Sequence, residues 1–266
     1  MGQRSQIYVK VNTINKDGTV DTHLTATYYQ WNFKERMVSR ARHITDWVRS
    51  HVEYWSYEKE KLKAFMKVNI DMEDVIDTTD ILEETVEWFD YEVPTEEFNS
   101  DIFYNQDNND GQFFLEVTYD AKNDCLIDCK YAFVTTPGSD KVIDVYDYLS
   151  GYADKGERKD KSSKDFFMEV AGDIFSYEIQ RGDFDITSTA WDNAEELSKM
   201  AELMTREELL NFIEFDYTEQ LKSIRKNVIS KEYGKLVGMR DLLGRDSDDL
   251  NAKIKMLKEM YNKEEK

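Results

Sequence analysis

Between residues 6 and 31 apolar side chains recur at alternate positions on both sides of Asp17-Gly18. That pattern predicts a β-hairpin with one buried face. Asp-Gly suits a type I′ turn, whose two central residues need positive φ. Folding about it places Val11 opposite Leu24, Val9 opposite Ala26 and Ile7 opposite Tyr28, all on one face. From about residue 33 the period becomes helical: Met37, Ala41, Ile44, Val48, Val52 and Trp55 form one apolar stripe. Asn32 is placed to cap this helix, with Glu35 three residues on to complete a capping box. Glu35, Arg42, Asp46, Arg49 and Glu53 read as a solvated, salt-bridged side. Arg36, Arg40 and His43 form a third strip able to hold a phosphate or carboxylate.

Two further alternating runs follow. Phe113, Leu115, Val117 and Tyr119 share one face of the first, and Cys125, Ile127, Cys129, Tyr131 and Phe133 one face of the second. Asp120–Asp124 joins them as a hairpin. Before them, residues 68–100 are acidic and mixed, with a strand expected around Val86–Val93 that Pro94 ends, then a turn over 105–111. Thr135–Asp140, with Pro137 and Gly138, closes the sheet region, and the polar stretch 151–164 is the best candidate linker.

The remainder reads as helical. Phe167, Val170, Ala171, Ile174 and Glu178 mark one amphipathic stretch. Asp192 with Glu195, and Thr205 with Glu208, mark two helix starts. Leu209, Phe212, Leu221, Ile224 and Val228 continue an apolar pattern, and a last helix begins near Ser247 with Leu250, Ile254, Leu257 and Tyr261 on one side. Gly234 and Gly238 either admit another helix closely or break their own. The expected fold is therefore α+β. An antiparallel sheet from the N-terminal and 113–134 hairpins, with the 33–55 helix on it, occupies 1–154. A helical region over 155–266 could drive oligomerisation through 205–266.

Composition narrows the class. The 266-residue chain is 40% hydrophobic and 13% aromatic, too rich in aromatics for a disordered acidic chain. It has no apolar run long enough to span a membrane, and residues 1–10 lack a signal-peptide pattern, which predicts a cytoplasmic protein. In a strand, Cys125 and Cys129 would stand about 13 Å apart, too far for a disulfide, and both are expected reduced in the core. His23, His43 and His51 offer them no metal-ligand spacing.

Charge is lopsided. Residues 1–67 carry +5, residues 68–154 carry −20 and residues 155–266 carry −5. An acidic surface of this kind either keeps a protein soluble or occupies a groove built for a phosphate backbone. It predicts a partner with a basic surface, no direct nucleic-acid binding and no membrane association. The binding residues expected are Asp71, Glu73, Asp74, Asp77, Asp80, Glu83, Glu84 and Glu87, with Arg36 and Arg40 beside them.

Catalytic patterns are sparse. An EF-hand loop built on the Asp-rich turn before Gly111 would need acids at its first and twelfth positions, where Gln106 and Val117 stand. There is no Gly-x-Ser-x-Gly elbow and no Gly-rich phosphate loop, and no cofactor is implied. Glu116 with Asp128-Cys129-Lys130 loosely fits a metal-dependent nuclease, two carboxylates holding Mg²⁺ while the lysine steadies water. The same alternation makes Asp128 and Lys130 simply the polar face of a strand.

The segments Met1–Val9, Tyr28–Asn32 and Glu35–Arg42 resemble a group of uncharacterised proteins carried by phages and prophages of Gram-positive bacteria. The resemblance covers roughly the first fifty residues and brings no catalytic residues. Lys34 stands where that pattern often has Gly. The resemblance implies an accessory protein that binds and disables a host defence or nucleic-acid-processing protein, with DNA mimicry as one route. A metal-dependent nuclease and an oligomeric assembly protein are the alternatives.

Overall fold

A computed structural model of the chain describes residues 4–30, 32–55, 58, 61, 62, 66, 78–80, 110–136, 139–154, 156–183, 185–215, 230, 233–240 and 248–263. It separates into two compact units, one of 1–80 with 103–215 and one of 81–102 with 216–266. The boundary therefore does not fall in the 151–164 stretch. That stretch lies within the first unit: a helix starts at Ser163, and it and the helices after it return to the same core.

The first unit is built on a sheet in the order β3-β2-β1-β4-β5-β6, with β1 Arg4–Ile14, β2 Val20–Gln30, β3 Thr78–Asp80, β4 Gln112–Asp120, β5 Cys125–Val134 and β6 Glu202–Leu203. The α+β class holds, but the sheet is mixed. Each expected hairpin forms, and they meet along β1 and β4, which run parallel. Its helices are α1 Lys34–His51, α2 Val145–Ser150, α3 Ser163–Ile174, α4 Ser176–Gln180, α5 Ile186–Met200 and α6 Arg206–Ile213.

One face of the sheet presents Ile7, Val9, Val11, Phe113, Leu115, Val117, Tyr131 and Phe133 to α1, α2, α3 and α5. The expected α1 stripe of Met37, Ala41, Ile44, Val48, Val52 and Trp55 is buried there. The opposite face is buried too: Tyr8, Leu24, Ala26, Phe114, Ala132 and Val134 are all shielded, and Phe212 of α6 stands edge-on to Phe114 at 5.3 Å.

That double burial explains the one-residue difference in hairpin register. Val9 pairs with Thr25 and Val11 with His23, so Leu24 and Ala26 lie on the second face beside Lys10 and Tyr8. Gly18 N–H donates to Asn15 O at 2.9 Å and Asn15 N–H donates to Thr19 O at 2.7 Å. Within this turn only Gly18 has positive φ, +86°. Asp17-Gly18 thus closes a longer loop than a two-residue type I′ turn. With apolar residues wanted on both faces, burial does not discriminate between the two registers, and the turn decides.

A second local irregularity corrects the cysteine reading. The β4–β5 ladder slips between Thr118 and Tyr119, where β5 carries one extra residue. Past this bulge Leu126 takes the place opposite Tyr119 while Ile127 is 54% exposed. Alternation has flipped, so Cys125 is exposed and only Cys129 is buried.

Helix starts divide likewise. α1 follows Phe33 with no side-chain cap, because Asn32 is fully buried and donates instead to Ser5 Oγ at 2.8 Å. Lys34 enters the helix at φ +49°, a conformation glycine favours. α5 runs unbroken through Asp192, which is no helix start. Thr205 and Glu208, in contrast, form a complete capping box. Thr205→Ala is expected to lower stability by about 1 kcal/mol in urea unfolding, and Thr205→Ser to recover most of it.

In the second unit α7 spans Asp248–Lys263, with Leu257 buried. Gly234 and Gly238 lie inside helical residues 233–240, with open space where a Cβ would stand among the described residues. The strand expected at 86–93, most of the 105–111 turn and Leu221, Ile224 and Val228 lie outside the described residues.

Candidate functional site

Strand pairing brings the Glu116, Asp128 and Lys130 trio onto one face. Lys130 pairs across β4–β5 with Glu116, and the parallel β1–β4 seam sets Lys10 beside Glu116 on its other side. The result is a row of alternating charge across three strands. Lys10 Nζ lies 3.0 Å from Glu116 Oε1, and Asn12 Nδ2 donates to the same oxygen at 2.8 Å. The Lys10 side chain is only 5% exposed, with its ammonium 4.9 Å from the ring centroids of both Phe212 and Phe215. Lys130 Nζ stands 3.1 Å from Asp128 Oδ2 and also binds Glu208 of α6.

These pairs fix the protonation states. Glu208, with Asp128, holds the Lys130 ammonium above its usual range, and Lys130 in turn holds the Glu208 carboxyl below its own. The Lys130 ammonium is already engaged by two carboxylates, and each carboxylate of the trio already faces a cation. Among the described residues no group of three or more His, Cys, Asp or Glu converges to hold a metal ion. The arrangement ties α6 to the sheet. Lys10 and Glu208, its two other members, lie far from the trio in sequence, and no spacing rule could have found them.

Arg36, Arg40 and His43 do not form the expected surface strip. Arg40 is fully buried, its guanidinium 4.3 Å over the Tyr29 ring, donating to Asn32 Oδ1 and Met66 O at 3.4 Å each. The His43 ring Nδ1 lies 2.8 Å from Ser39 O, and Arg36 and His43 are half-buried. α1 packs against the sheet on one side and α5 on another, so its buried arc is wider than its apolar stripe and takes Arg40 in through its aromatic and amide neighbours.

A second cluster gathers where α1 begins. Lys34 Nζ donates to Ile174 O at 2.9 Å and lies 4.0 Å from Glu178 Oε1. Tyr148 and Tyr152 hydroxyls are 3.1 Å apart, and Tyr148 donates to Asp110 O at 3.0 Å. Burial, with the Glu178 charge adding to it, pushes the Glu35 carboxyl up to about 7. Glu35 therefore does not belong to a solvated face. The Glu178 charge comes from α4, beyond the reach of periodicity.

Asp71, Glu73, Asp74, Asp77, Glu83, Glu84 and Glu87 lie outside the described residues; Asp80 is described as the last backbone position of β3, paired with Thr27. Further along, carboxylates have intramolecular partners: Asp147 binds Arg158 at 2.5 Å, Asp140 binds Arg206, and Asp144 caps α2 by accepting the Asp147 N–H at 2.8 Å. Residues 68–109 hold 14 acidic side chains and no Lys, Arg or His. The other 224 residues hold all 35 basic groups against 41 acidic ones, so no surplus of positive charge remains elsewhere to balance that segment.

These features define an α+β protein with a mixed six-stranded sheet buried on both faces and one acidic segment that contains no basic residue. Among the described residues no helix is long and apolar enough to cross a membrane. No protein-family model, no curated protein and no solved structure matches the chain.

Proposed function

We propose that this chain is a non-enzymatic, phage-type protein that binds a basic surface on a host defence or nucleic-acid-processing protein in the host cytoplasm. The acidic segment from Asp71 to Glu87 is the binding element. The observation that carries this reading is the charge stoichiometry: residues 68–109, which contain that element, hold 14 acids and no base, in a chain whose remainder is already slightly acidic. Such a segment has no internal counter-charge, so its potential extends outward, steers a basic partner and weakens as salt screens it. A groove built to release counterions on taking up phosphates gains the same release on taking up carboxylates. Nucleic acid itself is repelled.

The test is capture of host proteins on the tagged full-length chain, after nuclease treatment, with a salt series. One basic or nucleic-acid-handling protein is expected, released by raised salt and lost when Asp71, Glu73, Asp74, Asp77, Glu83, Glu84 and Glu87 are replaced by their amides. DNA should compete with the chain for that protein. Recovery that is indifferent to those seven replacements, or recovery of the chain alone, would sink the proposal.

A further inference from the structure

We propose that Tyr146, Trp191 and Glu195 form a cation seat, occupied in the free chain by Lys164, that takes up an arginine side chain of the basic partner. Three helices build it. Tyr146 comes from α2, Lys164 and Phe167 from α3, and Trp191 and Glu195 from α5. The Lys164 ammonium stands 4.5 Å from the Trp191 ring centroid, 5.9 Å from that of Tyr146 and 3.4 Å from Glu195 Oε1. The two rings, 5.7 Å apart and inclined at 46°, make a corner rather than a stack. Phe167, fully buried, lies parallel to Trp191 at 6.2 Å, and Tyr146 is 7% exposed, so the core fixes both walls.

The walls are held, but the occupant is free to exchange. The Lys164 side chain is 44% exposed and lies in the first turn of α3, the end at which the helix dipole disfavours a cation. Ser162 caps that turn by accepting the Asp165 N–H, so Lys164 can leave without opening the helix. Its hold on Glu195 is shared, since Lys199 approaches the other carboxylate oxygen at 3.5 Å. An aromatic corner with a carboxylate on its rim recognises an organic cation. Guanidinium suits it better than ammonium. It is flat, weakly hydrated, stacks on an indole face and offers paired N–H donors to the carboxylate. A partner's arginine therefore exchanges with Lys164, whose long stem carries its charge out to water. The seat is a property of these three helices, and only the source of the arginine rests on the reading of the chain as a binder of a basic protein.

The probe is N-acetyl-arginine amide, titrated onto the isotope-labelled full-length chain and followed by nuclear magnetic resonance at the Trp191 indole N–H, whose signal Trp191→Phe identifies. Emptying the seat with Lys164→Gln should tighten probe binding about tenfold, as for a site whose competent state is about one-tenth populated. Lys164→Arg, which fills the seat with the better cation, should weaken it. Lys199→Gln removes an equal charge from the same carboxylate but leaves the seat full, so binding should change less than about threefold. Adding Glu195→Gln to Lys164→Gln should cancel the gain, and uncharged N-acetyl-glutamine amide should leave the indole signal in place. The amide replacements between Asp71 and Glu87 should not alter probe binding, so they report on host capture separately from the seat. Equal gains in Lys164→Gln and Lys199→Gln, or no probe-dependent shift of the Trp191 signal in Lys164→Gln, would overturn the proposal.

Discussion

Replacing Glu116 by alanine is expected to lower stability by about 3 kcal/mol, a loss read directly from the urea midpoint. The magnitude comes from what is left behind. Lys10 is 4% exposed, roofed by Phe212 and Phe215, and its ion-pair partner is Glu116. Truncation leaves an ammonium that cannot reach bulk water and an Asn12 amide with only its longer hydrogen bond, 3.5 Å to Thr118 Oγ1. Two aromatic faces offset part of the missing charge but not all of it. Replacing Lys10 and Glu116 together by methionine and leucine should cost much less than Glu116→Ala, because no uncompensated charge is buried. The same variant separates two roles for this residue. A structural acid makes Glu116→Ala an unfolding defect, whereas a magnesium ligand would make it a folded protein that has lost metal-dependent cleavage. A stable Glu116→Ala would contradict the structural role.

Gly111→Ala is expected to cost about 3 kcal/mol, where Gly18→Ala costs about 1 kcal/mol. Both glycines have positive φ, +99° and +86°, so both substitutions strain the backbone. The difference is space. A Cβ on Gly111 would stand 2.7 Å from the carbonyl oxygen of Val134 and 3.4 Å from the Tyr148 ring, whereas none would be met within 4 Å at Gly18. The oxygen belongs to the β5 backbone where β4 and β5 are paired, so it cannot rotate away as a side chain would. Relief would require opening the end of the central ladder, where Gly111 O also accepts the Gln6 N–H at 3.3 Å from β1. Equal midpoints for the two variants would show that the strand end gives way freely.

The elements that the sequence made legible are those whose cause is local. The α1 stripe, the two hairpins, the helical repeat around Phe167 and the Thr205–Glu208 capping box each depend on residues within one or two turns of each other. Errors appear where a neighbour from elsewhere competes for a side chain. Asn32 has the chemistry of a cap, yet Ser5 and Arg40 claim its amide. Cys125 sits on the alternating pattern of Cys129, yet a bulge against β4 turns it outward. Arg40 reads as a surface cation until the rings and amides around it are assembled.

For the candidate sites the division is sharper. Sequence by itself determined the α+β class, the existence of both hairpins, and the net charge of residues 68–109, which is a count and depends on no fold. It also placed Glu116, Asp128 and Lys130 on a common polar face, because strand alternation carries that far. Only the tertiary structure decided that β1 and β4 run parallel, that Lys10 and Glu208 complete the charged row, and that Lys34 reaches Ile174. The reason is one of range. Periodicity reports the solvent that each residue prefers, whereas partner choice among buried charges is set by contacts that exist only once distant segments have been brought together.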